Sequence, residues 1–290
     1  MGQPVAIDRS ELGLFGPDSV TWQMHADAAM WFGGIRSLYL QALHPRAVAG
    51  VVQNSDFQHD PLGRLVRTAE FVGITTYGTV GEAQEAGERV RRVHRSLTAT
   101  DRETGEVFGI DDPELLLWVH CAEVSSFLTS VRRAGYPLTR EHGDRYLDEQ
   151  RASAALVGLD PRNVPGSTAE MRRYFREIRP TLRRTDDADV IYDFLHGPPL
   201  RGLARSGVPL YGMTIGHLSY SILPEWARHL YGRRAYPEVA TTVVIRALRA
   251  AAARIPAVGR EPAFVAATRR LGQWAAPGAD KLSRRGLPGT

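Results

Sequence analysis

The stretch Asp112-Pro-Glu-Leu-Leu-Leu-Trp-Val-His-Cys-Ala-Glu-Val-Ser-Ser-Phe-Leu-Thr-Ser-Val131 is the part of the chain that is most informative about the fold. Asp112, Pro113 and Glu114 form a typical helix start: a capping side chain, a proline at the first helical position and an acidic first turn. From Leu115 to Val131 apolar residues fall on nearly every helical face. Such a helix is buried on all sides, so the stretch predicts the central helix of an all-α bundle.

The rest of the chain also has helical periodicity, and alternating strand patterns are nearly absent. Asp60 and Pro61 repeat the start signal for a helix over 61–72, and apolar residues recur along one face of 82–98. Further helices are predicted near 18–32, 34–43, 139–156, 168–179, 186–195, 211–221, 224–231 and 236–253. Gly33-Gly34 is interpreted as a turn. We therefore predict one all-α, bundle-like domain over residues 17–255, with an N-terminal extension (1–16) and a C-terminal helix or flexible tail (256–290).

Composition narrows the class of protein. The 290 residues are 43% hydrophobic with a formal charge of +4, and acidic residues are interleaved with the arginines, so we expect no nucleic-acid partner. The single cysteine, Cys121, excludes an intramolecular disulfide and a zinc cluster of cysteines. We find neither a transmembrane run nor an export signal, so the sequence alone predicts a soluble cytoplasmic protein.

Two segments carry candidate cofactor chemistry. His94 lies at the inner margin of its predicted helix, and Arg64, Arg67 and Thr68 share one face of the preceding helix at positions i, i+3 and i+4. A neutral imidazole can ligate haem iron, and fixed cations and hydroxyls can hold propionates or line the open side of the iron. The alternative is a hydrogen-bonded histidine at the edge of the core and arginines that are solvated.

Two further histidines are candidates. His120 lies in the most apolar helix with Glu123 one turn later, which indicates either a buried His–Glu hydrogen bond or a proton relay beside a cofactor. His44 precedes Pro45 at the end of an apolar helix, where it could interact with the helix dipole or contribute to a cofactor site.

Other chemistries match the sequence less well. A di-iron bundle needs paired Glu-x-x-His motifs, which are absent. No glycine-rich phosphate loop, no Gly-x-Ser-x-Gly elbow and no compact basic recognition helix occurs.

Six segments in order resemble the oxygenase family typified by the mycophenolate-pathway enzyme MpaB and the bacterial latex clearing proteins. The resemblance spans roughly residues 20–235. The segments are His44–Val51, Phe57–Thr68, Val93-His94, Asp112–His120, Tyr146–Glu149 and Leu223–Gly232.

The resemblance implies a helical fold that encloses haem b, with His94 as the proximal iron ligand. His120 stays the alternative ligand because of its place in the apolar helix. It also implies a distal face formed by Arg64, Arg67 and Thr68. Arg67 stands where those proteins have a lysine, and a guanidinium is a poor iron ligand because it stays protonated.

Roles for further residues come from the same resemblance. Arg91 matches an arginine near the haem, and His44 and Arg228 lie in motifs that we assign to cofactor binding. Arg67, Thr68 and His120 are the expected catalytic residues. No convincing counterpart of the family's catalytic base is found.

The implied function is oxidation of a small apolar molecule of the isoprenoid type by dioxygen, with a reductant whose identity is open. Rubber is not the expected substrate, because the sequence has no export signal. Two alternatives stay open at this point. One is a haem peroxidase or monooxygenase on the same scaffold, and the other is a non-catalytic helical protein that carries haem or lipid, or a transcription regulator without a cofactor.

Overall fold

The computed structural model describes residues 13–54, 61–199 and 206–254, and for residues 61–66 it describes the backbone alone. The described helices are α1 (Val20–His25), α2 (Met30–Gln41), α3 (Pro45–Asn54), α4 (Pro61–Tyr77), α5 (Val80–Ser96), α6 (Pro113–Arg133), α7 (Arg140–Glu149), α8 (Arg151–Leu156), α9 (Thr168–Ile178), α10 (Asp186–His196), α11 (Val208–Tyr211), α12 (His217–Ser221), α13 (Glu225–Tyr231) and α14 (Glu238–Ala252). A π-helical turn, Gly212–Gly216, joins α11 to α12. The all-α class predicted from the sequence is confirmed. The domain boundaries after residues 16 and 255 stay predictions, since 1–12 and 255–290 lie outside the described residues.

The only strands among the described residues form a short hairpin between α5 and α6. In this hairpin β1 (Thr98–Thr100) pairs antiparallel with β2 (Val107–Gly109), with Ala99 opposite Phe108. The hairpin packs against α3, where the Gln53 amide accepts a hydrogen bond from Thr100 N (2.9 Å) and donates one to Thr100 O (2.8 Å). This contact fixes the end of α5, which carries His94.

Helix α6 begins as the sequence predicts. The Asp112 carboxylate accepts a hydrogen bond from Glu114 N at 2.8 Å, and Pro113 occupies the first turn. Helix α4 starts at Pro61, as the sequence predicts. The predicted cap of this helix, Asp60, lies outside the described residues.

Helices α2 and α6 cross at the centre of the molecule, and Gly33 permits their close approach. A Cβ at Gly33 would lie 2.8 Å from Phe127 Cδ1 and 3.0 Å from Phe127 Cα. The prediction of a turn at Gly33-Gly34 was therefore wrong, because both glycines lie within α2. The chain instead breaks earlier, between His25 and Met30, so the predicted helix 18–32 is two helices.

Helices α4 and α5 form an antiparallel pair joined by a tight turn. The Thr79 hydroxyl accepts a hydrogen bond from Glu82 N (3.1 Å), and the Glu82 carboxylate accepts one from Thr79 N (2.7 Å), which is a capping box. Because the helices run back along each other, residues well before the turn on α4 lie beside residues well after it on α5. This arrangement brings Arg67 and Thr68 near His94.

Candidate active site

Two neighbouring cavities meet at His94. The first has a volume of about 400 Å³ and the second about 330 Å³. The residues that line both are Leu38, Gln41, Arg67, His94, Leu116 and Val119. The shared lining comes from α2, α4, α5 and α6, so the central helix pair and the α4–α5 pair together enclose the site.

His94 is half-buried on the inner margin of α5, as the sequence predicts. Val93, one residue earlier, lines the first cavity, and Val90, one turn earlier, lines the second. The imidazole is thus placed among aliphatic side chains at the junction of the two cavities.

Arg67 and Thr68 come from α4 and reach the same space. Arg67 lines both cavities and Thr68 lines the second. The structure therefore brings together three of the predicted site residues: His94, Arg67 and Thr68. Arg64 lies on α4 one turn before Arg67, and its side chain lies outside the described residues.

Buried polar groups of α6 form another wall of the second cavity. His120 is 7% exposed, and burial lowers its pKa to about 4, so the imidazole is neutral at neutral pH. Its Nε2 is buried and has no hydrogen-bond partner among the described residues. Since a buried nitrogen without a partner is costly, this atom is suited to contact a bound molecule.

Glu123, one turn after His120, lines the same cavity. Burial raises the pKa of its carboxyl to about 7, so it is part protonated near neutral pH. The sequence reading treated Glu123 as a partner of His120 and not as a base in its own right. The signal was present in the sequence, because Glu123 is the only acidic residue between Leu115 and Val131.

His25 lines the second cavity too, but its contacts are structural. Its Nδ1 lies 2.9 Å from Thr76 Oγ1 and its Nε2 lies 3.1 Å from Tyr146 Oη. Burial lowers its pKa to about 3. Both ring nitrogens are occupied, which distinguishes His25 from His120.

Three predicted cofactor residues lie apart from the two cavities. His44 accepts a hydrogen bond from Ala47 N at 3.4 Å in the first turn of α3, and burial lowers its pKa to about 4. Arg91 donates a hydrogen bond to Leu156 O. Arg228 lies on α13 beside Gly232 and Tyr236 in a separate surface hollow. None of these three lines the space around His94 in the described part of the chain.

Arg46 lines the first cavity and was missed as a site residue. Its guanidinium lies 4.4 Å from the centre of the Phe108 ring, and Nη2 lies 3.4 Å from Glu106 Oε1. The residue follows His44 and Pro45 in a segment already singled out, but nothing in its spacing indicates which way it points.

One family model matches residues 22–254, and its description is ER-bound oxygenase mpaB/B′/Rubber oxygenase, catalytic domain. The chain belongs to this family. Membership shows a general oxygenase role and therefore an enzyme that uses dioxygen and a substrate. A comparison with curated proteins finds no match, and neither does a comparison with solved structures. In the described part of the chain, no helix combines the length and apolarity needed to cross a bilayer.

The donor groups at this site fit a metal ion that is coordinated mainly by a macrocycle and needs few protein ligands. Among the described residues, no group of three or more His, Cys, Asp or Glu side chains could hold a metal ion. His94, which lines both cavities among aliphatic side chains, could ligate the iron of a haem, whose porphyrin supplies four further nitrogens. The cation Arg46, at the first cavity, could pair with a propionate of a haem, and Arg67, at both cavities, is a charged hydrogen-bond donor toward the space beside His94.

Proposed function

We propose that this oxygenase-family chain binds haem b and oxidises a small apolar, isoprenoid-like molecule with dioxygen and an external reductant. The observation that carries the proposal is the position of His94, between two aliphatic cavities that Arg67 also lines. An apolar lining with few polar groups favours an apolar substrate.

Three residues would hold the cofactor. His94 would ligate the iron, and Arg64 and Arg46 would pair with propionates. Haem, when bound, supplies the activation of dioxygen. Attachment would be non-covalent, because the one cysteine, Cys121, is buried in the core and belongs to no Cys-x-x-Cys-His motif.

Polar groups around the second cavity would transfer protons and form hydrogen bonds with the bound molecule. The Glu123 carboxyl, with a pKa of about 7, can both release and accept a proton near neutral pH. The neutral His120 can donate or accept a hydrogen bond through Nε2. Thr68 offers a hydroxyl donor on the α4 side, and Leu116, Val119 and Phe127 keep bulk water away from the substrate.

The test begins with an absorption spectrum of protein purified from haem-replete cells. We expect a Soret band and a chromophore that acid–butanone extracts. A colourless protein that also fails to take up added hemin would contradict the cofactor assignment.

Turnover then separates the reaction classes. We expect dioxygen consumption, followed with an oxygen electrode, that requires both a reductant and an apolar alkene. Turnover driven by peroxide alone would replace the oxygenase proposal with a peroxidase.

A further inference from the structure

A third cavity, of about 720 Å³, lies against other faces of α2 and α6 and shares no lining residue with the two cavities at His94. We call it the arginine cleft, because its lining within the described residues includes no acidic side chain and seven arginines: Arg36, Arg132, Arg133, Arg172, Arg176, Arg179 and Arg246. The lining therefore concentrates positive charge in one part of the surface.

Arg36 forms the buried end of the cleft. It is 5% exposed and pairs with no carboxylate among the described residues. Its Nε donates to Ile222 O (3.0 Å) and its Nη1 donates to Ser126 Oγ (2.6 Å). A buried guanidinium with neutral acceptors only is costly, and an anionic ligand would offset that cost.

Of the six cleft arginines other than Arg36, one forms an ion pair with a carboxylate among the described residues. Arg133 pairs with Glu238, with 2.8 Å between Nη1 and Oε1. Arg172 and Arg176, on α9, form no ion pair within the described residues, and Arg179 lies with its guanidinium 5.0 Å from the centre of the Trp226 ring. Asp144, whose charge acts on Arg132, accepts hydrogen bonds from Thr168 N (2.7 Å) and Thr168 Oγ1 (2.6 Å).

Apolar side chains line the rest of the cleft. Leu40, Leu128, Met171 and Phe175 come from α2, α6 and α9, and Trp226 comes from α13. A site that combines cations with an aliphatic and aromatic wall matches a ligand with an anionic head and an apolar body, since each part meets its complement.

We propose that the arginine cleft is a second ligand site, which binds an amphipathic anion: a phosphate or carboxylate head on an apolar chain. The site is separate from the one at His94, so binding needs no haem. The proposal therefore stands or fails independently of the proposed oxygenase cofactor.

The test is a calorimetric titration of the full chain, in haem-loaded and haem-free form, with four probes below their micellar concentrations: dodecyl phosphate, dodecanoate, dodecanol and inorganic phosphate. We expect one of the two anionic amphiphiles to bind with the same affinity in both forms. Dodecanol and inorganic phosphate should each bind at least roughly tenfold more weakly. The stronger of the two anions identifies the head group. Equal binding of dodecanol would overturn the proposal, because the charge would then contribute nothing.

Matched variants locate the site. Arg176→Ala and Arg179→Ala should each weaken binding of the preferred amphiphile by about tenfold or more. The control is Arg173→Ala, on the same helix α9, where Arg173 lies 4.0 Å from Glu177 and does not line the cleft. It should bind as the unmodified protein does. Equal losses in all three variants would indicate non-specific surface attraction and overturn the assignment.

Discussion

His94 is the side chain on which the haem assignment depends, because it lines both cavities of the candidate site. We expect His94→Ala to lose haem or to shift the Soret band strongly, since no other imidazole lies at the junction of the described cavities. The measurement is haem occupancy by absorption spectroscopy after hemin titration.

His44→Ala is the control for that substitution. His44 caps the first turn of α3 through Ala47 N, so its loss should cost about 1 kcal/mol of stability but leave haem in place. If His120→Ala empties the site while His94→Ala keeps haem, the ligand is His120 and the motif assignment is wrong.

Glu123 gives a prediction about pH. Its pKa is raised to about 7 from an ordinary value of 4.5, so the folded state prefers the protonated carboxyl. This contribution to stability is complete below about pH 4.5 and is lost as the pH rises through 7. We expect Glu123→Gln, which mimics the protonated form, to gain stability over the unmodified protein by a few kcal/mol between pH 4.5 and 8.

The measurement is the denaturant midpoint of both haem-free proteins across that pH range. The buried His25 and His120 have lowered pKa values and cost stability as the pH falls below about 6.5. The pH dependence of either protein alone therefore also contains the contribution of these two histidines. The difference between the two proteins isolates Glu123. A difference that stays flat with pH would mean that the carboxyl is solvated and titrates normally.

At the level of the helix, α4 presents Arg64, Arg67 and Thr68 on one face by their spacing. We expect Arg67→Ala and Thr68→Ala to bind haem but to lower kcat by roughly tenfold or more, because each removes a donor at the reacting space. We expect Arg64→Ala to weaken haem retention through the loss of a propionate partner. Haem occupancy and dioxygen consumption, measured side by side, test both expectations. Full activity in all three variants would mean that these three residues are ordinary solvated side chains with no part in the site.

The two glycines of α2 allow a matched test of helix packing. Gly33→Ala places a methyl 2.8 Å from Phe127 Cδ1 and should cost about 1–3 kcal/mol, because the backbone of α6 must move. Gly34→Ala meets no atom within 4 Å and should gain about 0.5–1 kcal/mol from helix propensity. Urea unfolding of the haem-free proteins measures both. Equal effects in the two variants would show that the crossing of α2 and α6 does not depend on Gly33.

These same glycines show what the sequence could and could not predict at the level of elements. Asp112 and Pro113 predicted the start of α6 because a helix cap depends on neighbours in the chain. Gly33-Gly34 was misread as a turn because a glycine at a close helix crossing looks, in sequence, like a glycine in a loop. The reason for Gly33 is Phe127 on another helix, and local pattern carries no information about that contact.

For the whole molecule, the candidate site was predictable in part. The likeness of short motifs brought His94, Arg67 and Thr68 together, as the fold does. The same likeness also assigned His44, Arg91 and Arg228 to the site, although these residues do not line the two cavities at His94. A residue can share a motif without its side chain reaching the cavity. The arginine cleft could not be predicted, since its residues come from segments that lie far apart in the chain.

The arrangement of the three cavities leads to a prediction about coupling. Helices α2 and α6 contribute one set of residues to the cavities at His94 and another set to the arginine cleft. A ligand that binds only the folded state stabilises it by about 2.7 kcal/mol at a free concentration one hundred times its Kd. If the helix pair is rigid, hemin and the amphipathic anion should stabilise the protein additively, to within about 0.5 kcal/mol.

The measurement is the free energy of unfolding without ligand, with each ligand alone and with both, in the unmodified protein and in His94→Ala. The variant should lose the hemin increment and keep the anion increment in full. Stabilisation by both ligands together that departs clearly from the sum would contradict independence. It would mean that movement of α2 against α6, at the contact between Gly33 and Phe127, couples the cleft to the candidate active site.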